Sequence, residues 1–150
     1  MQTYDYALSP AHRERVKSSW QHVVPIAGQA ADIFYERLFA ANPAIAVMFR
    51  RTDMREQKNK LIHALCAVVD SLERLEDMFP LLAELGQRHT GYGVQPAHYQ
   101  QVGAALIETL EAGLAERWTE ELKEAWIALY EIVSGVMQSG AVVQPGTARA

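Results

Sequence analysis

The sequence contains one cysteine and no long apolar run, and each scarcity excludes a class of protein. A single cysteine, Cys66, forms no internal disulfide and supplies no cysteine-rich metal site, which fits a reducing cytoplasm. No apolar run reaches the roughly 20 residues of a membrane-spanning helix. The opening MQTYDYALSP lacks the basic and then apolar segments of a secretory signal. We therefore expect a cytoplasmic protein that does not enter a membrane.

Basic residues are also few. Fourteen lysines and arginines stand against 18 acidic residues and give a formal net charge of -4, which argues against a nucleic-acid partner. A length of 150 residues, with 49% hydrophobic and 21% charged residues, is typical of one soluble globular domain with a substantial core. We expect a single domain over residues 1–150, with its core at about 8–139 and flexible termini at 1–7 and 140–150.

Apolar residues recur at helical spacing along most of the chain, and no segment shows the strict alternation of a strand. Ser9 and Pro10 predict the start of a first helix over about 10–24, and a second helix follows until Asn42-Pro43. Further helices are predicted from Pro80, from Pro96 and after Thr119. A long helical face is predicted for Leu61, Leu65, Val68, Leu72 and Leu75. The fold class is therefore all-α.

Motifs of hydrolytic and phosphate chemistry are absent: the sequence has no G-x-S-x-G, no G-x-x-x-x-G-K-[ST] and no H-E-x-x-H. Cys66 lies among small and apolar neighbours, which favours plain packing over reactivity.

One histidine of the five stands apart from polar surroundings. His89 shares a helical face with Leu82 and Leu85 and precedes a turn with two glycines. A lone histidine of this kind is usually a core-edge residue that donates to a backbone carbonyl. One imidazole does not hold a bare metal ion, but it does hold an iron that already has four porphyrin ligands.

Two polar residues could form the opposite side of such a site. Tyr35 lies on the apolar stripe of the second helix, and a buried phenol needs a hydrogen-bond partner. Gln57 and Leu61 are four residues apart, so their side chains point the same way from the long helix. Taken singly, Tyr35 fits a core tyrosine and Gln57 fits a solvated residue of a charged stretch.

At this point the sequence resembles the haem-binding globins, and among them the bacterial single-domain haemoglobins and the globin domain of flavohaemoglobins. The resemblance covers about residues 8–139, and the order and spacing of its motifs make it specific. The motifs are F-Y-E-R-L-F at 34–39, N-P and M-F within 42–49, Q-x-x-x-L at 57–61, L-G-Q-R-H at 85–89, P-A-H-Y-x-x-V-G at 96–103 and A-W-x-x-x-Y at 125–130. The resemblance implies a globin fold, a helical sandwich around haem b.

The resemblance also implies roles for individual residues. It implies that His89 is the proximal iron ligand, that Tyr35 and Gln57 are the distal residues that stabilise a bound gas, and that Leu61 lies over the iron. The remaining haem contacts that it implies are Phe49, Leu85, Arg88, Tyr99 and Val102. Where flavohaemoglobins carry a glutamate late in the last helix, this chain has Ala141, and Glu131 comes too early to replace it.

The function that the resemblance implies is reversible binding of oxygen, with nitric oxide and carbon monoxide as further ligands. Detoxification of nitric oxide by dioxygenation would need an external reductase. Two other functions compete with this one: a haem-based gas or redox sensor or carrier without turnover, and a helical interaction protein without a cofactor.

Residues 50–60 form a basic stretch on an acidic chain. Five cations, Arg50, Arg51, Arg55, Lys58 and Lys60, stand there against Asp53 and Glu56, a local charge of +3. Charge runs are usually solvated surface. The sharper hypothesis is that this stretch meets haem propionates or an acidic reductase.

Overall fold

A computed structural model describes residues 8–142, with side chains described through residue 139. Helices and turns make up this range, and it contains no strand, which confirms the all-α prediction. The α-helices are α1 (Pro10–Val23), α2 (Ala27–Ala41), α3 (Pro43–Met48), α4 (Met54–Asp70), α5 (Phe79–Gly91), α6 (Pro96–Leu114) and α7 (Glu120–Val142). Short 3₁₀ segments occupy Val24–Ile26, Leu72–Met78 and Ala115–Arg117.

Side-chain caps explain where three of the helices begin. The Ser9 hydroxyl accepts a hydrogen bond from the His12 amide at 3.1 Å, and the Thr119 hydroxyl accepts one from the Leu122 amide at 3.1 Å. These contacts confirm both predicted helix starts. Asp53 caps α4 in the same way, since its carboxylate accepts from the amide of Arg55 at 3.1 Å.

Two predicted boundaries are wrong. The long helix ends at Asp70, and Leu72 and Leu75 lie in the following 3₁₀ segment, where Arg74 has the non-helical angles φ -140 and ψ 54. Both leucines are nevertheless buried, because the kinked segment keeps them turned toward the core. The last helix continues to Val142, so residues 140–142, which were predicted to belong to the C-terminal tail, are helical. Residues 1–7 and 143–150 lie outside the described range.

The core lies where α1 and α7 pack together. Trp126 is almost fully buried, and its indole N–H donates to the Ser19 hydroxyl at 3.0 Å. That bond satisfies the polar atom that burial would otherwise leave unpaired. Trp20 completes the contact, with its ring centroid 6.0 Å from that of Trp126. Within the described residues, no helix is long and apolar enough to cross a membrane.

The helices that carry the candidate site pack on different partners. Helix α4 packs on α2, whereas α5 packs mainly on α7, and α4 and α5 make no extensive contact with each other within the described chain. At the α5–α7 contact, a β-carbon on Gly86 would lie 1.9 Å from the backbone oxygen of Met137. Only glycine permits this approach. This contact fixes α5 against α7.

Candidate ligand and cofactor site

Tyr35 and Gln57 are brought together by the packing of α2 on α4. The Gln57 side-chain amide donates a hydrogen bond to the Tyr35 hydroxyl oxygen at 3.1 Å. Tyr35 is buried and Gln57 is half-buried, so the interpretation of Gln57 as a solvated residue is wrong. Burial raises the pKa of the Tyr35 phenol, and the hydrogen bond from Gln57 offsets part of that rise. The phenol therefore keeps its proton at neutral pH.

An aromatic cluster surrounds the Tyr35 ring. Phe49 lies edge-on to it at 5.8 Å between centroids, Phe34 lies edge-on at 4.8 Å, and Phe39 lies at 5.7 Å. Edge-to-face packing of this kind restricts the orientation of each ring. A groove of about 320 Å³ reaches this cluster from the solvent side, and the Lys58 ammonium pairs with Asp32 there at 2.9 Å.

Leu61 lies one helical turn beyond Gln57 and is half-buried against the core. It lines a small internal cavity of about 20 Å³ together with apolar residues of α1, α2 and α6. Its neighbours in that cavity include Phe34, Leu65 and Leu106. Leu61 is thus an apolar residue one turn from Gln57, on the side of α4 that meets the core.

His89 is half-buried near the end of α5, and one of its two ring nitrogens is engaged. Its Nδ1 lies 2.8 Å from the backbone oxygen of Leu85, at donor distance for a protonated Nδ1. The proton on Nδ1 leaves Nε2 with a lone pair, which is the form of imidazole that binds a metal. Among the described residues, Nε2 has no hydrogen-bond partner.

Two other predicted contacts lie on α5. Leu85 is half-buried, and its backbone rather than its side chain orients the imidazole of His89. Arg88 is exposed, and its guanidinium pairs with the Glu84 carboxylate one turn earlier at 3.6 Å. The contact of Arg88 with a haem propionate stays a prediction. An ion pair at the surface contributes little free energy, so the pair with Glu84 does not prevent Arg88 from binding another anion.

Tyr99 and Val102 lie on α6. Tyr99 is 8% exposed, and its hydroxyl has no hydrogen-bond partner among the described residues. Burial raises the pKa of this phenol. Val102 is half-buried against the core. An unpartnered buried hydroxyl is costly unless it meets a group that binds there.

The sequence did not single out Tyr130, although it belongs to the A-W-x-x-x-Y motif. Its hydroxyl donates to the backbone oxygen of Tyr99, and a β-carbon on Gly103 would lie 2.7 Å from its ring. Burial and the neighbouring Tyr99 raise the pKa of the Tyr130 phenol. The pairing of Tyr130 with α6 depends on tertiary packing, so only the motif spacing could have indicated it.

The donor set fits a macrocycle-bound iron better than a bare ion. Within residues 8–139, no three His, Cys, Asp or Glu side chains come together as metal ligands. His89 offers one nitrogen, and Phe49, Leu61 and Val102 are half-buried apolar side chains that pack against the core. An imidazole with one free nitrogen fits an iron whose other ligands come from a porphyrin.

Comparison with known proteins agrees with this geometry. A sequence model of the globin family matches residues 32–137. The neuroglobin of Dissostichus mawsoni is 26% identical over 146 residues, which cover 89% of this chain and 92% of the neuroglobin.

Bacterial relatives match over a smaller part of their own length. The flavohemoprotein of Vibrio cholerae is 28% identical over 131 residues, 86% of this chain and 33% of the relative. The flavohemoprotein of Bacillus subtilis is 27% identical over 116 residues, 76% of this chain and 28% of the relative. The chain therefore spans about a third of the flavohemoproteins and nearly all of the neuroglobin.

Proposed function

This chain belongs to the globin family and is a haem protein that binds a diatomic gas, and we propose that the gas is oxygen, bound reversibly between His89 and the Tyr35–Gln57 pair. The observation that carries this proposal is the hydrogen bond from the Gln57 amide to the Tyr35 hydroxyl. It joins two polar groups beside the aromatic cluster of Phe34, Phe39 and Phe49. Such a pair suits a small ligand that accepts hydrogen bonds.

When bound, haem supplies an iron that takes one protein nitrogen and one gas molecule, and whose oxidation from iron(II) to iron(III) lets oxygen and nitric oxide combine to nitrate. His89 is the protein nitrogen in our proposal. The Leu85 carbonyl holds the imidazole in the tautomer that presents Nε2, at 2.8 Å from Nδ1. Phe49, Leu61, Leu85, Arg88, Tyr99 and Val102 are the proposed haem contacts.

Tyr35 acts as the donor to the gas. Because Gln57 donates to the Tyr35 oxygen, the phenol proton is not used in that bond and is free to point at a ligand. A hydrogen bond to an oxygen ligand with partial negative charge is charge-assisted and is strengthened by the low dielectric of the pocket. Tyr35 therefore slows the release of oxygen, and Gln57 orients Tyr35.

We extend the proposal to dioxygenation of nitric oxide. In that reaction Tyr35 would donate to the oxygen and Gln57 would orient Tyr35, while the aromatic cluster around Tyr35 would limit access of water. The electron that restores iron(II) comes from a donor outside the described residues. The match to the two flavohemoproteins supports this extension, since their globin parts are the segments that this chain resembles.

One observation favours a second function, that of a carrier or sensor without turnover. The His89 Nδ1 meets a neutral backbone carbonyl, and within residues 8–139 no carboxylate contacts the imidazole. A carboxylate partner would make the imidazole more electron-donating, whereas a carbonyl leaves it a weaker donor. Weak donation favours simple ligand binding over cleavage chemistry at oxygen.

A stopped-flow experiment separates the two functions. The oxygenated protein is mixed with nitric oxide, and nitrate and iron(III) are measured. Dioxygenation requires rapid formation of one nitrate and one iron(III) per protein, and repeated formation of nitrate after a chemical reductant is added distinguishes it from a carrier without turnover. Release of oxygen without nitrate supports the carrier function instead, and failure of the purified protein to show an intense Soret band after haem reconstitution refutes both.

A further inference from the structure

The charge of the protein is distributed unevenly over its surface. Residues 50–60 carry +3 although the whole chain carries -4, so the rest of the chain carries -7. Such asymmetry orients an approaching partner through the long-range field before contact. An acidic partner is attracted to this segment and repelled elsewhere.

The cations of the segment are free to receive a partner. Arg50, Arg51, Arg55 and Lys60 are exposed, and none of them forms an ion pair with another described residue. Lys58 is the exception, since it pairs with Asp32. Cations without an internal partner keep their full attraction for an external carboxylate.

An apolar patch lies next to these cations. Val47 is 55% exposed and Tyr92 is 72% exposed, both high for residues of their type. They lie on segments that touch, because a β-carbon on Gly93 would lie 4.0 Å from Met48 Cε. The end of α3 and the turn after α5 thus present Val47 and Tyr92 on neighbouring segments.

Tyr92 connects this patch to the proposed iron ligand. Its ring centroid lies 6.4 Å from that of His89. On the other side, Phe49 follows Val47 by two residues and contacts Tyr35. The surface formed by Val47, Arg50, Arg51, Arg55 and Tyr92, which we call the docking face, therefore borders both halves of the proposed site.

We propose that the docking face binds an acidic electron-donor protein. The inference rests on the proposed function, because dioxygenation oxidises the iron and needs an electron from outside. Interfaces between redox proteins are small and depend on complementary charge for encounter, with apolar contacts at the centre. Val47 and Tyr92 supply the apolar contact with the partner, and the three arginines attract it electrostatically. An electron that enters through this face arrives beside His89.

The test measures reduction of the iron(III) protein by a reduced, acidic [2Fe–2S] ferredoxin in stopped flow at several ionic strengths. Arg50→Glu with Arg51→Glu should lower the second-order rate about tenfold at low salt and flatten its salt dependence. Arg117→Glu with Lys123→Glu is the matched control, because it changes the net charge equally at two unpaired cations elsewhere. Equal slowing in both variants overturns the proposal, as does an unchanged rate in the first.

A second pair of variants tests the apolar contact. Tyr92→Ser should slow reduction by ferredoxin several-fold without changing the salt slope, whereas Leu81→Ser should not, although Leu81 is a similarly exposed apolar residue of α5. Dithionite should reduce the Tyr92→Ser and Leu81→Ser variants at the same rate, because neither substitution changes the charge and dithionite needs no docking surface. A loss with dithionite as large as that with ferredoxin overturns the assignment of Tyr92.

NMR measures the binding of ferredoxin to the protein independently of electron transfer. Oxidised ferredoxin is titrated into the ¹⁵N-labelled carbon monoxide form of the haem-loaded protein. Amide broadening centred on residues 47–55 and 91–94 supports the docking face, and broadening centred elsewhere refutes it. Failure of the proposed function is separate, since the reaction of the oxygenated protein with nitric oxide is measured without any donor.

Discussion

The Gln57 amide donates to the Tyr35 hydroxyl across 3.1 Å, and this direction of donation leaves the phenol proton available. The two residues come from helices that are far apart in sequence, so the bond exists only in the folded protein. Their roles at the site are therefore separable by substitution, because Tyr35 is the proposed donor and Gln57 its orienting partner.

Tyr35→Phe should raise the oxygen dissociation rate about tenfold or more, since a charge-assisted hydrogen bond contributes about 1.5 to 3 kcal/mol. Gln57→Leu should have a smaller effect, because it removes the orienting partner and leaves the donor. Stopped-flow displacement of oxygen by carbon monoxide measures both rates. An unchanged rate in Tyr35→Phe contradicts the assignment of the distal donor.

His89→Ala should abolish the Soret band of the reconstituted protein and should lower the affinity for haem. His63→Ala is the control, since His63 is an exposed histidine of α4. Imidazole added to the His89→Ala protein should restore the band, because it replaces the missing ring in the cavity. A His89→Ala protein with a native spectrum would place the iron ligand elsewhere.

Gly86→Ala should destabilise the fold by about 3 kcal/mol, because overpacking is costly where neither side can yield. The new methyl group would meet the backbone oxygen of Met137 at 1.9 Å. Gly135→Ala, in α7, should instead stabilise the protein by about 0.5 to 1 kcal/mol, since nothing lies within 4 Å of that β-carbon. Urea unfolding of both variants measures the difference, and similar midpoints would show that α5 and α7 separate easily.

Stability should fall above pH 10, because burial raises the pKa of Tyr130 above its ordinary value of 10.0. Above that value the unfolded chain loses the phenol proton and the folded chain retains it, so unfolding becomes more favourable as the pH rises. Tyr130→Phe should flatten the profile between pH 10 and 11 while lowering stability at pH 7 by about 1 kcal/mol, through loss of the bond to Tyr99. A parallel decline in both proteins would assign the effect to other groups.

The local features of the fold could be predicted from the sequence. Ser9 and Thr119 cap the helices that they were predicted to cap, because a cap depends on neighbours within one turn. The end of α4 could not be predicted, since Leu72 and Leu75 are buried whether or not the chain kinks between them. Periodicity reports which residues face the core, and it does not report the hydrogen-bond pattern of the backbone.

The residues of the candidate site could be predicted from the sequence, but the exposed apolar face next to it could not. The residues alone left Gln57 between a solvated position and one beside Tyr35 at the site, and the family resemblance favoured the second. The face occupied by Val47 and Tyr92 was not predicted, because exposure of an apolar residue depends on which other helices cover it. The carbonyl partner of His89 follows from helical geometry, since Leu85 lies one turn earlier.

The contact at Gly86 has a mechanical consequence for the site. The backbones of α5 and α7 are in contact with no side chain between them. A shift of one helix therefore displaces the other. A displacement of the α5 backbone at Gly86, three residues before His89, is therefore expected to move α7 as well. The tilt of α7 is therefore expected to change with the position of the His89 imidazole, the proposed iron ligand.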